Sequence, residues 1–343
     1  GADTIRALAR RMAAHRTLIN MSWSMQRADH GEQPYWAATT LAAMLGQIGL
    51  PGGGIGIGYG AVNSIGAPGS RIAPPSLPQG TNPVKAFIPV ARITDMLENP
   101  GGAFDYNGQR LTYPDARMIY WVGGTPLHHH QDLGRFLRAW QRPETIIVHE
   151  PWWNPLARHA DIILPATTTL ERDDLASSSL DTFMLAMRKA IEPVGQARND
   201  HQIFAGIADR LGCGEEFTGG RSEQQWLESL YAEWCKRAAR AGVDAPDFDT
   251  FWQAGHVELP DRTKGYVFLS DFRADPVKHK LGTPSGKVEI FSEQIASFDY
   301  DDCAGHTTWM EPAEWLGGEL AQRFPLHLIS NQPRTRLHSQ YDN

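Results

Sequence analysis

The spacing of apolar and polar positions predicts helices and strands in the first quarter of the chain. Residues 17–21 form an apolar run of strand length, and residues 35–48 have the pattern of an apolar helix. Residues 52–83 are rich in glycine and proline and have little periodicity, which predicts a long loop. The run Gly54–Gly58 is assigned to that loop, because it follows a helix and lacks the third glycine of a dinucleotide fingerprint.

The middle of the chain carries the clearest pattern. Bulky apolar runs predict strands at residues 117–122, 145–148 and 160–165, and amphipathic spacing predicts helices at residues 132–141, 199–212 and 222–241. Strands that alternate with helices predict an α/β fold with a doubly wound, mainly parallel, Rossmann-like sheet, flanking helices and long loops. Residues 243–290 are irregular, and a last strand at residues 326–329 predicts the start of a further β-rich domain.

These patterns divide the chain into four regions. They are an α/β unit with a long loop (1–115), a Rossmann-like dinucleotide-binding unit (116–242), an irregular linking region (243–322) and the beginning of a C-terminal domain (323–343).

Composition limits the partners. A formal charge of −7 and a pI near 6.0 argue against nucleic acid or an anionic membrane. The sequence contains no apolar run of about 18 residues that would span a membrane. Three cysteines without a CxxC pair exclude a zinc knuckle or an iron–sulfur cluster built from this chain, and free thiols favour a cytoplasmic location. A periplasmic location stays open, since any targeting signal would precede residue 1.

Candidate binding residues follow the predicted parallel strands, because open parallel sheets bind ligands at their carboxyl ends. Gly123 and Gly124 would let backbone N–H groups approach a phosphate, although an ordinary strand-to-helix turn has the same composition. Glu150 could accept hydrogen bonds from a ribose or a guanine, or be a solvated strand end. Arg172 could pair with a diphosphate.

Two other arrangements are disfavoured. Consecutive histidines at 128–130 do not converge on one ion, so one of them is expected to line a pocket instead of binding metal. Ser-His-Asp catalysis has no support, since the chain contains no GxSxG elbow.

Motifs along nearly the whole chain resemble the DMSO reductase family of molybdopterin oxidoreductases, which includes biotin sulfoxide and trimethylamine-N-oxide reductases. The matching segments are Ser22–Arg27, His30–Gln33, Ala43–Gly54, Asn82–Lys85, Tyr120–Gln131, Pro143–Trp152, Ala160–Arg172, Ala197–Asp200, Thr283–Ser292, Leu328–Pro333 and Leu337–Gln340.

The resemblance implies a bis(molybdopterin guanine dinucleotide) molybdenum cofactor, two-electron reduction of a small S-oxide or N-oxide, and an electron donor. It implies that Ser22 and Gln26 contact the pterin and that Asp200 binds the guanine. The full set of cofactor-binding residues that it implies is Ser22, Trp23, Gln26, Arg27, Gly124, Thr125, His129, His149, Glu150, Pro165, Arg172, Asp200, Ser330, Asn331, His338, Ser339 and Gln340.

Two departures from the family bear on activity. Thr125 stands where many relatives have Asn, and the serine that ligates molybdenum is expected upstream of residue 1, so no catalytic or metal-ligating residue is assigned here. We therefore expect the 343 residues alone to be inactive and to hold no cofactor tightly. A non-catalytic nucleotide-binding domain of the same fold is the alternative, whereas a nicotinamide dehydrogenase is disfavoured, because no GxGxxG follows a strand.

Overall fold

The structure is a computed structural model that describes residues 1–57, 72–178, 181–260 and 265–329. Its helices are α1 (Ala2–Ala14), α2 (Glu32–Met44), α3 (Ile93–Glu98), α4 (Leu133–Ala139), α5 (Pro155–Arg158), α6 (Asp200–Leu211), α7 (Gly214–Thr218), α8 (Glu223–Arg240), α9 (Phe248–Ala254), α10 (Ser270–Ala274), α11 (Glu293–Ala296) and α12 (Glu319–Arg323). Its strands are β1 (Leu18–Met21), β2 (Gly54–Ile57), β3 (Ala103–Tyr106), β4 (Gln109–Thr112), β5 (Met118–Val122), β6 (Thr145–His149), β7 (Ile162–Leu164), β8 (Asp174–Ser177), β9 (Phe183–Met187) and β10 (His256–Glu258). Short 3-10 helices cover Trp23–Arg27, Val90–Arg92 and Pro126–His128.

The described residues fall into two compact units. Unit 1 contains residues 1–57, 107–109 and 265–329, and unit 2 contains residues 72–106, 110–178 and 181–260. The α/β class is confirmed as a mixed α/β architecture with small parallel and antiparallel sheets. The finer division into four regions stays a prediction.

Unit 1 contains a two-stranded parallel sheet. Leu18 pairs with Gly54 and Met21 with Ile57, so the assignment of residues 54–57 to a loop is wrong. Strand β2 has only alternating glycine and isoleucine, and its ladder partner is the distant strand β1, so local pattern carries little signal for it. The side chain of Gln47 fixes the approach to β1 by accepting from the N–H of Thr17 at 2.7 Å.

Unit 2 contains a three-stranded parallel sheet in the order β5-β6-β7. The three strands and the helices α4, α6 and α8 confirm the predicted elements of this region to within a few residues. Phe136, Trp140, Val148 and Leu156 are fully buried in a hydrophobic cluster that packs helices against the sheet. This burial explains why bulky runs marked the strands so clearly.

A second cluster in unit 2 packs α8 and α9 beside the antiparallel sheet β10-β9-β8. Tyr231, Trp234 and Phe251 are fully buried there. The prediction that residues 243–290 are irregular is therefore wrong at α9, β10 and α10. These elements are only three to seven residues long, too short for periodicity to mark them.

The predicted strand at residues 326–329 is also wrong, since this segment forms no strand and joins no ladder in the described part of the chain. Leu326 and Leu328 are each 91% exposed. An apolar run becomes a strand only when a neighbouring ladder satisfies its backbone groups. In the part of the chain that the structure describes, no helix is long and apolar enough to cross a membrane.

Candidate functional site

The carboxyl ends of the three parallel strands of unit 2 lie at one edge of the sheet. Val122 pairs with His149, and His149 pairs with Leu164, so these residues form a row across the sheet. The N–H of Glu150 donates to the carbonyl of Leu164 at 3.2 Å, which extends the alignment by one residue. The predicted binding loops therefore leave the sheet at the same edge, as parallel strands require.

The first of these loops is a glycine turn that ends in a buried hydroxyl group. Gly123 and Gly124 have φ angles of +81° and +67°, a region that favours glycine. The indole N–H of Trp121 donates to both of their carbonyl oxygens, at 3.0 and 3.2 Å. Thr125 is 4% exposed, and its Oγ1 has no hydrogen-bond partner among the described residues. A buried hydroxyl without a partner is costly, so this atom is suited to a polar group of a bound ligand.

Glu150 begins the second loop. Burial raises the pKa of its carboxyl, while the Asn154 side chain, the N–H of Trp152 and the charge of His128 act in the opposite direction. The Trp152 N–H lies 3.4 Å from Oε1. His128 Nδ1 is buried and has no partner among the described residues, whereas the neighbouring His129 is exposed. The first and second loops thus contribute an imidazole, His128, and an acceptor, Glu150, that are both partly desolvated.

His149 connects this edge of the sheet to helix α6. Its Nδ1 lies 2.7 Å from Oδ1 of Asp200, and its Nε2 lies 2.7 Å from the hydroxyl oxygen of Tyr120. Burial, and then the negative charge of Asp200, raise the pKa of Tyr120. Tyr120 was missed from the sequence. It pairs with Ile147 across the ladder, and this places it on the same face as His149, two residues further along β6.

Arg172 and Asp200 line one cavity of about 230 Å³, together with His201, Glu223 and Trp226. The guanidinium of Arg172 is held in place, because Nη1 donates to the Thr167 carbonyl at 3.0 Å and Nε to Asp174 at 3.2 Å. The cavity thus offers fixed cationic and carboxylate groups beside an indole ring. That combination can bind a polar aromatic base next to an anion.

The loop after β7 is stabilised by residues that sequence reasoning missed. Glu171 is buried and accepts from the N–H and the hydroxyl of Thr168 at 2.7 and 2.8 Å, and from the N–H of Val194 at 2.7 Å. The hydrogen bonds from the two backbone N–H groups, and then from the Thr168 hydroxyl, hold the pKa of Glu171 below its ordinary value. Thr167 donates its hydroxyl hydrogen to the side chain of Asn199 at 2.7 Å.

Pro165 lies on a different cavity, of about 380 Å³, whose polar lining includes Arg198 and Gln202. The backbone of Arg198 is hydrogen-bonded to the loop, since its N–H donates to the Pro165 carbonyl at 3.0 Å. The structure therefore places Pro165 at the predicted edge of the sheet. Its cavity shares no lining residue with the cavity that Arg172 and Asp200 line.

Unit 1 holds the other predicted residues in a 3-10 helix that follows β1. Ser22 caps this helix, with its Oγ accepting from the N–H of Ser24 at 3.3 Å. The hydroxyl of Tyr35 lies 2.8 and 2.7 Å from the carbonyls of Ser22 and Trp23 and accepts from the N–H of Gln26 at 3.3 Å. The side chains of Ser22, Trp23, Gln26 and Arg27 are exposed, which leaves them open to a ligand.

The remaining predicted residues lie outside the described part of the chain. They are Ser330, Asn331, His338, Ser339 and Gln340. Of the described ones, the structure brings His149 and Asp200 into direct contact and places Arg172 on the cavity that Asp200 lines.

Comparison with known proteins places the sequence of this chain in a family. The model of the molybdopterin oxidoreductases matches residues 7–210, which is more than half of the chain. Biotin sulfoxide reductase of Cereibacter sphaeroides is 49% identical, and dimethyl sulfoxide/trimethylamine N-oxide reductase of Rhodobacter capsulatus is 48% identical. Trimethylamine-N-oxide reductase of Haemophilus influenzae is 43% identical. A solved structure of acetylene hydratase from Pelobacter acetylenicus aligns with 62% of this chain and 26% of its own, at 20% identity and a TM-score of 0.44.

The three reductases align with 99% of this chain, which covers 46%, 43% and 43% of their own lengths. The chain therefore spans less than half the length of the curated relatives it matches. The resemblance to the DMSO reductase family is confirmed by these relatives. With its family match over residues 7–210, this chain belongs to the molybdopterin oxidoreductases.

Proposed function

We propose that the chain is part of a molybdenum enzyme that reduces an S-oxide or an N-oxide of the biotin sulfoxide, dimethyl sulfoxide or trimethylamine-N-oxide type. The activities after which its relatives are named support this substrate class. In this proposal the parallel sheet of unit 2 is part of a doubly wound fold. Its carboxyl edge binds the guanosine and diphosphate end of a bis(molybdopterin guanine dinucleotide).

The residues present at that edge fit such a group. The buried Thr125 Oγ1, which has no partner among the described residues, would hydrogen-bond to the ligand. The glycine turn before it leaves open space, because no described atom lies within 4 Å of a Cβ built on Gly123 or Gly124. Arg172 would contribute positive charge to the diphosphate, and Asp200 would accept the N–H groups of the guanine. In unit 1, the exposed 3-10 helix at residues 23–27 would contact a pterin. When bound, the cofactor supplies the two-electron redox centre for removing oxygen from the oxide.

The observation that carries the proposal is the position, exposure and hydrogen bonding of the Asp200 carboxylate. It is the first residue of α6, its side chain is 45% exposed, and one of its oxygens is held by a buried imidazole. A carboxylate that is fixed but open to a cavity is suited to base recognition, because its acceptor atoms are preorganised.

The test is to express the complete reading frame that encodes these residues and to measure molybdenum, acid-released guanine nucleotide and oxide reduction with a reduced viologen as electron donor. We expect molybdenum and guanine nucleotide in the purified protein, and turnover of at least one of the three oxides. Asp200→Asn should lower the guanine nucleotide content about tenfold, as expected for the loss of a hydrogen-bonded charge. Asp209→Asn, on the exposed end of the same helix, is the matched control.

A protein that holds neither molybdenum nor guanine nucleotide would contradict the proposal. Guanine nucleotide without molybdenum or turnover would instead support a non-catalytic nucleotide-binding domain of the same fold.

A further inference from the structure

Tyr120, His149 and Asp200 form a continuous series of hydrogen bonds in which the middle residue is buried. The His149 side chain is 1% exposed, whereas the Asp200 side chain is 45% exposed. Both ring nitrogens of His149 are within 2.7 Å of a protein oxygen. The imidazole therefore has no polar atom left for a ligand, although His149 is itself one of the residues that the resemblance predicts to bind the cofactor.

The hydrogen-bonding chemistry of the three groups fixes the direction of the series. A carboxylate only accepts hydrogen bonds, so the hydrogen between His149 and Asp200 is assigned to Nδ1. In the neutral ring Nε2 is then an acceptor, and the Tyr120 hydroxyl donates to it. Both ring nitrogens of the buried imidazole are thereby satisfied, which matters because an unpaired polar atom at this depth would be costly.

The surrounding packing fixes the ring as well. The ring of Phe204 lies 4.9 Å from that of His149 and 5.6 Å from that of Tyr120, measured between centroids. His149 is the last residue of β6, and Asp200 is the first residue of α6. The imidazole thus ties the carboxylate at the start of the helix to the end of the strand.

The other carboxylate oxygen is left for a ligand. Oδ2 of Asp200 accepts no hydrogen bond from the described residues, and the residue lines the cavity that Arg172 and Trp226 share. Restraint at Oδ1 limits rotation of the carboxylate, so Oδ2 keeps one orientation at the edge of that cavity, where a ligand would meet it.

We propose that His149 is a positioning residue, which donates Nδ1–H to Asp200 and thereby aims the carboxylate at the N1–H and N2–H₂ edge of a guanine base. This inference rests on the proposed function for the identity of the base. His149 itself does not touch the ligand. Because hypoxanthine lacks the 2-amino group, an aimed carboxylate should discriminate GMP from IMP, and a carboxylate free to rotate should discriminate less.

The hydrogen position is tested first, without any ligand. The 343-residue chain is labelled with ¹⁵N-histidine, and the His149 ring signals are assigned by their loss in His149→Asn. We expect hydrogen on Nδ1. A neutral ring with hydrogen on Nε2 alone would overturn the proposal, because such a ring cannot donate to Asp200.

The second test measures binding of GMP and IMP to the same chain by calorimetry. His149→Phe keeps a ring but removes both hydrogen bonds, so GMP should bind about tenfold more weakly and the GMP preference over IMP should shrink. His149→Asn carries an N–H at the same distance from Cβ as Nδ1, and should recover part of that preference. Tyr120→Phe should weaken GMP binding less than His149→Phe does. His159→Phe is the matched control, because among the described residues that exposed imidazole bonds only to the carbonyl of Pro155.

The outcomes separate the two proposals. Unchanged affinity and unchanged GMP preference in His149→Phe, with wild-type binding intact, would overturn the positioning role and leave the proposed function standing. The chain is expected to hold its ligand only weakly, so the titration extends to millimolar nucleotide. A wild-type chain that binds IMP as tightly as GMP, or binds neither over that range, would overturn guanine recognition at Asp200, and the proposed function loses its main support. Thermal unfolding of each variant shows whether it is still folded. If His149→Phe does not fold, Tyr120→Phe and the ¹⁵N measurement on the wild-type chain still test the positioning role of His149.

Discussion

Single residues at the sheet edge have roles that their identities alone do not reveal. Asp200 and His149 were both predicted from the sequence as binding residues, yet they are 51 positions apart and bond directly to each other. Tyr120 was read only as part of an apolar strand, since nothing local marks a tyrosine whose hydroxyl will meet a histidine on the next strand. Sequence pattern thus identifies candidate groups after strands, whereas their pairing depends on register and on helix placement.

Glu171 illustrates how a residue stabilises the site without facing it. Its carboxylate accepts three hydrogen bonds from Thr168 and Val194, and these hold its pKa below the ordinary value of 4.5. A carboxyl whose pKa is lowered by folding contributes stability above the unfolded pKa and loses it as pH falls through the folded pKa. We therefore expect Glu171→Gln to be less stable than wild type at neutral pH, with the difference shrinking below pH 4.5.

Chemical denaturation at about pH 7 and about pH 3 checks this expectation. The matched control is Glu192→Gln, because Glu192 is 82% exposed and, in the part of the chain that the structure describes, pairs only with Lys189 at the surface, where ion pairs contribute little. A difference between Glu171→Gln and wild type that is equally large at both pH values would show that packing, and not the charge, is responsible.

At the scale of elements, length and burial decide what could be predicted. Helix α8 and strands β5 and β6 were predicted because their periodic or continuous apolar runs face a core. Strands β2 and β10 are four and three residues long, and each pairs with a strand far along the chain, so local sequence does not relate the two partners. Strands β8 and β9 form a local antiparallel pair, but unlike β6 they contain no β-branched residue that would mark them as strands. At residues 326–329 the opposite holds. The apolar sequence predicts a strand, but no strand of the described chain pairs with it.

Helix α8 also allows a direct test of how its first turn is stabilised. Ser222 accepts from the N–H of Gln225 at 3.3 Å, and the side chain of Gln225 accepts from the N–H of Ser222 at 2.9 Å, which completes a capping box. Ser222→Ala should lower the free energy of unfolding by about 1 kcal/mol, because it leaves a first-turn N–H without that partner. Ser229→Ala, in the middle of the same helix, should not destabilise, since alanine is the better helix former.

Urea unfolding of both variants measures the difference. Equal losses of stability would mean that the cap contributes nothing beyond the general effect of removing a hydroxyl from this helix.

At the scale of the whole molecule, burial is distributed unevenly between the two units. Of the buried hydrophobic residues in the described chain, Ala42 belongs to unit 1 and all the others belong to unit 2. Helix α1 has no buried residue, whereas α8 buries four, and β6 lies between two parallel neighbours. Because local opening is easiest where few apolar contacts must break, stability should differ between these elements.

We therefore predict that hydrogen exchange of the 343-residue chain is slowest in β6 and α8 and fastest in α1. The measurement is mass-spectrometric exchange with peptide resolution, in low denaturant so that local and global opening separate. Leu227→Ala, which truncates a buried side chain of α8, should speed exchange in α8 and its neighbours while leaving α1 unchanged. An exposed helix of 13 residues is at most marginally stable by itself. Protection of α1 equal to that of α8 would therefore contradict the prediction that stability follows the distribution of buried side chains.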